Sequence, residues 1–480
     1  MMNQTGDDYF DSKEFHQLLE AYEAAVSAGE PVFMDTEELV DIADYYQYTY
    51  RKDKAEEAIT LALSLSPGNC APLTYRIHEA LQQGNTQKAW QLLDKIIDKD
   101  EPDYIYDRAE ILLCEGRTDE ADEYLREVFR DVPEDEQPDF VVDVANIYND
   151  YGQPERAMMW MAKTKHEDSN DFKELMARTL FEMGKYKESQ KLFNELIDTD
   201  PFSTSYWNAL ASAQFMDENY SEAIESSEYA IAIDPQDPQA FISKANGLFR
   251  LNNYEEALDY YRRYQEKVPE DEFALLYEGT CLINLQRIDE AILALEKALE
   301  IAPEDSPNIA DIYQELAFAY GEKLDTDKAL ELLDKEETTD CDQVQLNLIK
   351  GHILLVADRL NEARKCFHRA VALSDTPKQT LLRVIVSFYD NRYLEGAYIL
   401  FRKYLSHYEK KEHGNNTEGY AYMALCCYDK GMYKEFLDYL KIACQVNPRE
   451  CLLALSHLFP ENVKPEDYYQ YIKDKLTTKE

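Results

Sequence analysis

Apolar and polar positions recur along this chain with the period of a helix, and the pattern restarts at a fixed interval. Ala257, Tyr261 and Tyr264 share one face at i, i+4 and i+7, with Glu255, Glu256 and Asp259 on the other side. Pro201, Pro235, Pro269 and Pro303 are each 34 residues apart. Ser189, Ala223, Ala257 and Ala291 keep the same step, as do Tyr186, Tyr220, Tyr254 and Ile288. Three independent positions holding one period over four units predict a tandem array of helix–turn–helix repeats. Each small residue predicts a close approach of two helices. Each Pro predicts a helix end, because Pro has no N–H to donate to the helical ladder.

The small-residue step continues outward through Ala55, Ala89, Ala121 and Ala157 on one side, and Ala329, Ala363 and Ala397 on the other. Insertions of two to four residues between them are assigned to turns, where added length costs little. Twelve units are expected, starting near Thr36, Cys70, Pro102, Pro138, Asn170, Thr204, Pro238, Glu272, Ala310, Val344, Lys378 and Thr417. In the last, Phe436 replaces the small residue. Gly84, Gly116, Gly152, Gly184 and Gly431 sit where the first helix of a unit should end in a left-handed residue, and Asn252 takes that place in another unit. Phe10, Phe15, Leu18, Leu19, Tyr22 and Val26 predict an amphipathic leading helix. The stretch Cys451 to Phe459 is too apolar to be free and predicts a closing cap, with one more helix from Pro465 onward. The expected organisation is a capping helix in 1–35, a repeat solenoid in 36–448 and capping helices in 449–480.

The spacing resembles the tetratricopeptide repeat, seen most clearly in Trp207-x2-Leu210-Ala211, Tyr220-x2-Ala223, Ala230 and Pro235. The chain's style also resembles uncharacterised cytoplasmic repeat proteins of Bacteroidetes-like bacteria. The resemblance implies an all-α solenoid whose first, or A, helices line a concave face. The positions that would face it are Tyr106, Glu110, Asn146, Asn149, Arg178, Asn208, Ser212, Phe215, Asn246, Phe249, Arg250, Thr280 and Asn284. Asn offers a donor and an acceptor at once, which suits an extended peptide backbone. The carboxylate clamp by which some relatives hold chaperone tails is not reproduced: its Lys position reads Tyr106, Val142, Glu174, Asn208 and Ile242.

Composition adds a charge asymmetry. The net charge is −45, with 95 Asp and Glu against 50 Lys and Arg. Residues 361–480 carry 18 Lys and Arg against 16 Asp and Glu, so all of the surplus acid lies in residues 1–360. Such a field repels nucleic acid and anionic membranes and favours basic segments. Met1 to Asp8 show neither the basic nor the apolar region of a signal peptide, and no apolar run is long enough to span a bilayer. Nine scattered Cys without a C-x-x-C pair suggest reduced thiols and a cytoplasmic setting. No phosphate-binding loop, nucleophile elbow or zinc motif occurs. His352, His368 and Cys366 are close in sequence, but core or groove packing is the expected role, without metal or cofactor. The vicinal Cys426 and Cys427 predict one buried and one half-buried thiol. The function expected is a non-enzymatic scaffold or adaptor holding a peptide or protein segment in the groove. The alternative is a peptide-sensing regulatory module.

Overall fold

A computed structural model describes residues 9–10, 12–49, 51–164, 169–303, 305–337, 339, 341–412, 415–460 and 463–477. Met1 to Asp8 lie outside them. Helix is the only regular secondary structure among the described residues. The chain divides into two units, 1–219 and 220–480.

The first unit opens with the helix Lys13–Ala28, capped by the Ser12 side chain and ended by Gly29 in the left-handed region. Phe15 and Tyr22 are buried, Leu18 and Leu19 pack at the edge of the same core, and Val26 is exposed because it faces away from that core. Helix pairs follow: Thr36–Tyr48 with Lys52–Leu65, Cys70–Gln82 with Thr86–Leu93, Pro102–Cys114 with Thr118–Phe129, Gln137–Asp150 with Pro154–Met161, and Asn170–Glu182 with Tyr186–Thr199. The helix Thr204–Met216 closes the unit.

The second unit starts with Tyr220–Ile233. Its pairs are Pro238–Arg250 with Tyr254–Gln265, Glu272–Asn284 with Ile288–Ile301, Ile309–Glu322 with Thr326–Glu336, Gln343–Val356 with Leu360–Leu373, Pro377–Asp390 with Leu394–Lys411, and Tyr420–Asp429 with Tyr433–Val446. The A helices begin within one residue of the expected starts, except the last, which begins at Tyr420 rather than Thr417. Five of these starts, among others, carry side-chain caps: Ser169, Ser203, Asp237, Asp271 and Asp342 each accept a backbone N–H from the first turn.

Packing within each pair runs through the small-residue ladder. Ala89, Ala121, Ala157, Ser189, Ala257, Ala291, Ala329, Ala363 and Ala397 have no solvent exposure, and Ala55 and Ala223 have 3% and 1%. A Cβ on Gly279 would collide with the Leu295 side chain of its partner helix, and one on Gly351 with the Phe367 ring. Ser189 fits the ladder because its hydroxyl donates to the Ala177 carbonyl at 2.8 Å, leaving no buried polar group unsatisfied. In the last pair Phe436 is buried against a helix thinned by Ala421, Ala424, Cys426 and Cys427. Both vicinal thiols are therefore buried, not one as expected: Cys426 packs towards the preceding pair, where its thiol approaches the Leu394 carbonyl, and Cys427 lies in the same core.

The turn inside each pair is equally regular. Gly84, Gly116, Gly152, Gly184, Asn252 and Gly431 are left-handed as expected, and so are Glu218, Gln286, Leu324, Asp358 and Arg392, with φ between 57° and 62°. A side chain there costs on the order of 1 kcal/mol, and the helix pair imposes it.

After Pro448 the helix Pro448–Leu455 and a short turn Ser456–Leu458 lead to the helix Tyr468–Thr477. Cys451, Ala454 and Leu455 are buried, while Leu452 and Leu453 are exposed, so the apolar run is amphipathic and only one side of it packs. Glu450 receives the N–H groups of Gly419 at 2.6 Å and Ala421 at 2.9 Å, capping the helix Tyr420–Asp429 from the next element.

Replacing Ala257 with Trp should overpack its pair and cost on the order of 1–3 kcal/mol in denaturant unfolding. A protein lacking residues 449–480 loses the Glu450 cap and uncovers the last pair. It should aggregate on heating and elute as oligomers in size-exclusion chromatography, and a monomer with an unchanged melting curve would refute the cap.

Candidate functional site

All thirteen residues expected on the A-helix face are half-buried or exposed; none is buried. Helical spacing accounts for this, since the core takes the opposite stripe of the same helices.

In the first unit, Tyr106 donates to Asp143 at 2.8 Å and Glu110 accepts from Tyr151 at 3.4 Å. Asn149 donates to the buried Thr179 hydroxyl at 2.8 Å. Arg178 is exposed, and its charge acts on Asp150 and Glu174. Asn146 is half-buried. Asn208, Ser212 and Phe215 lie on Thr204–Met216, where the Ser212 hydroxyl turns back to the Asn208 carbonyl at 3.0 Å.

Beside them stands a polar group the spacing argument did not name. His78 Nε2 lies 3.2 Å from Asp107 and 3.6 Å from Glu110, and Thr74 donates to the other Asp107 oxygen at 2.6 Å. Burial pulls the His78 imidazole down, but Asp107 and Glu110 outweigh it and its pKa is raised. Burial raises the carboxyl of Glu110, helped by Asp107, and pushes Asp44 up to about 6, helped by Asp41. Asp44, His78 and Glu110 occupy the same repeat position as Asn146 and Arg178, so continuing that row toward the N-terminus finds them.

In the second unit, Asn246 Oδ1 accepts from the Tyr261 hydroxyl at 2.8 Å. Phe249 meets Tyr254 and Tyr277 edge-on at 5.6 and 5.0 Å, and Arg250 lies 4.7 Å over the Tyr220 ring. Thr280 and Asn284 both bond backward along their own helix, at 3.0 and 2.8 Å. Further along the same row a cleft of about 320 Å³ is lined by Phe318, Leu348, His352, Leu382, Val386 and Tyr422, among others. His352 meets Ser387 at 3.1 Å and Asn391 at 3.3 Å and stacks on Phe318, and burial lowers its pKa. His368 is exposed on the other helix of the pair, and among the described residues no three metal-binding side chains converge.

With this geometry in place, the fold defines an α-solenoid built from helix pairs. Residues 175–238 match the family model described as tetratricopeptide repeat, and residues 216–298 match that of anaphase-promoting complex, cyclosome, subunit 3. Residues 175–298 are thus matched by repeat-family models, and the tetratricopeptide-repeat fold is in general one for protein–protein interaction. No curated protein matches its sequence. Similar solved structures include the anaphase-promoting-complex hetero-tetramer Cut9–Hcn1, at 16% identity and TM-score 0.38 over 77% of this chain and 73% of that one. The type IV pilus biogenesis factor PilW aligns at 18% identity and TM-score 0.39, over 44% of this chain and 98% of that one. MamA from Desulfovibrio magneticus RS-1 aligns at 18% and 0.34, over 36% and 98%. No described helix is long and apolar enough to cross a membrane.

Burial, with Asp311 adding to it, pushes Glu315 up to about 7. A carboxyl raised in the folded state binds its proton more tightly there than in the unfolded chain. Its contribution therefore disfavours folding above about pH 7, and the penalty fades as pH falls through that value. Glu315→Gln should melt higher than wild type at pH 8, and the difference should shrink as pH falls below 7 and vanish only near pH 4, below the unfolded carboxyl's value of 4.5. Equal increments at both pH values would show that Glu315 is not held protonated.

Proposed function

We propose that this protein is a non-enzymatic scaffold or adaptor that holds an extended segment of another protein along its A-helix face. The observation that carries the reading is the half-buried polar and aromatic strip itself. Within each unit the A helices bury mainly small, aliphatic and aromatic residues in the core, while the Asn, Thr, Ser, Phe and Arg positions named above stay half-buried or exposed on the other stripe. Asn is disfavoured inside helices, so its recurrence there asks for a use. Asn246 is held through Oδ1 by Tyr261, which orients its amide nitrogen toward an incoming carbonyl. The Phe249 ring, braced by Tyr254 and Tyr277, offers a flat apolar seat beside it.

The surplus of acid in residues 1–360 favours a basic segment over nucleic acid or an anionic membrane. The nine free cysteines are in keeping with a reducing, cytoplasmic setting for such a scaffold.

The test is affinity capture with the full-length protein, followed by titration of the captured segment as a synthetic peptide. Asn208→Ala, Asn246→Ala and Phe249→Ala together should weaken binding about tenfold or more at both low and high salt while leaving the salt slope unchanged. Raising ionic strength from 0.1 M to 1 M shortens the Debye length from about 10 to about 3 Å and should weaken wild type and variant in parallel. A segment that binds the triple variant as tightly as wild type would remove the A-helix face as the site.

A further inference from the structure

The helix Leu394–Lys411 is the longest of the chain's described helices, at 18 residues, and it is the B helix of its pair. Its outward side carries two parallel rows at i, i+4, i+8 and i+12. One row is Tyr398, Arg402, Ser406 and Lys410; the other is Ile399, Lys403, His407 and Lys411. Together these eight residues line an open cleft of about 840 Å³, and Arg402, Ser406 and Lys410 also border a second cleft with Leu405, Glu409, Tyr420, Tyr439 and Ile442. From Ile399 to Lys411 the rows run about 18 Å, the reach of five or six extended residues.

The chemistry of the rows is unusual for this molecule. Acid outnumbers base nearly two to one, and cations on neighbouring helices are engaged in ion pairs: Lys378 with Glu412, Lys350 with Asp334 and Glu337, Arg359 with Glu362. Among the described residues, Arg402, Lys403, Lys410 and Lys411 have no carboxylate within ion-pair distance. The two carboxylates on the same helix are turned to other partners, Glu395 to Lys430 and Glu409 to the Tyr420 hydroxyl. Arg402 and Lys411 instead rest 5.8 and 5.6 Å from the Tyr398 and Tyr408 rings. At the head of the rows Ile399 is 50% exposed.

We propose that this B-helix face docks an acidic peptide segment of a partner protein, with an apolar residue seated at Ile399 and carboxylates along Arg402, Lys403 and Lys410. The argument is charge complementarity confined to one place. At 0.15 M ionic strength the Debye length is about 8 Å, so a bound segment feels the cations of its own helix and little of the distant acid. Arg402 supplies the forked donor that suits a carboxylate, and the lysines supply point charges beyond it. The site lies on a different helix face from the Asn-bearing strip, prefers the opposite charge, and does not depend on that strip binding anything.

The test uses the full-length protein and a fluorescein-labelled poly-glutamate peptide led by one leucine, followed by fluorescence anisotropy at 0.15 M salt. Saturable binding is expected, weakened about tenfold or more by Arg402→Glu with Lys403→Glu and Lys410→Glu. The milder Arg402→Gln with Lys410→Gln should give a smaller loss with an unchanged melting curve, which separates lost binding from lost folding. The variant lacking Asn208, Asn246 and Phe249 side chains should bind the acidic peptide like wild type. No saturable binding, or equal binding by the charge-reversed protein, overturns the proposal. So does tighter binding of an oligothymidylate or of phosphatidylserine vesicles through the same residues, or a self-association that the reversal abolishes.

Discussion

The close approach of two helices at one small side chain is the constraint on which this structure depends. At Ala257, Ala291 or Ala363 the partner helix comes close enough to exclude water completely, and at Gly279 and Gly351 even a methyl group would collide. That contact fixes the angle of the pair. The angle fixes the turn between the helices, which must pass through a left-handed residue whether or not glycine is present. Leu324 and Arg392 adopt φ of 61° for this reason. Their strain is small beside the burial that each pair gains, since covering one large aliphatic side chain is worth about 1.5–3 kcal/mol.

A fold made only of neighbour contacts leaves one stripe of every helix uncommitted, and the polar chemistry collects there. In the first unit that stripe carries His78, Asp107 and Glu110 in mutual contact, with Asp44 nearby and its carboxyl raised by burial. In the second it carries braced aromatics around Phe249 and a cleft beside His352. The B helices carry their own uncommitted stripe, and on Leu394–Lys411 it is basic in an otherwise acidic molecule. Some buried polar groups are instead satisfied within and between neighbouring helices. Asp122 takes Trp160 at 2.9 Å and Arg126 at 2.8 Å, and Lys244 takes Glu228 at 2.7 Å and Tyr260 at 3.0 Å.

Period and helix direction were legible in the chain because they depend on local spacing. Proline, the small-residue step and the turn glycines are read one turn at a time, and the A-helix starts followed to within a residue in all but one pair. The last pair departed at its start, where Gly419 is left-handed and the Glu450 carboxylate, about thirty residues on, takes the first N–H groups; that long-range cap is not visible in the local sequence. The left-handed turns at Glu218, Gln286, Leu324, Asp358 and Arg392 were hidden for a similar reason: nothing in those side chains favours the conformation. The exposed outer halves of the closing apolar run, Leu452 and Leu453, were hidden as well, since an apolar residue does not reveal which side of a helix will find a neighbour.

By itself the sequence determined that this protein is an all-α array of helix pairs with a 34-residue period and which stripe of the repeat helices would enter the core, because both follow from periodicity along one chain. Tertiary structure alone decided which side chains meet across repeats. Thr74 reaches Asp107, Asn149 reaches Thr179, and Glu450 reaches back to Gly419 and Ala421, each over about one repeat length. It also decided which charges remain unpaired, since an abundance of Asp and Glu says nothing of where each carboxylate turns. Those distances depend on the offset between stacked helices, a quantity set by packing and carried by no single segment.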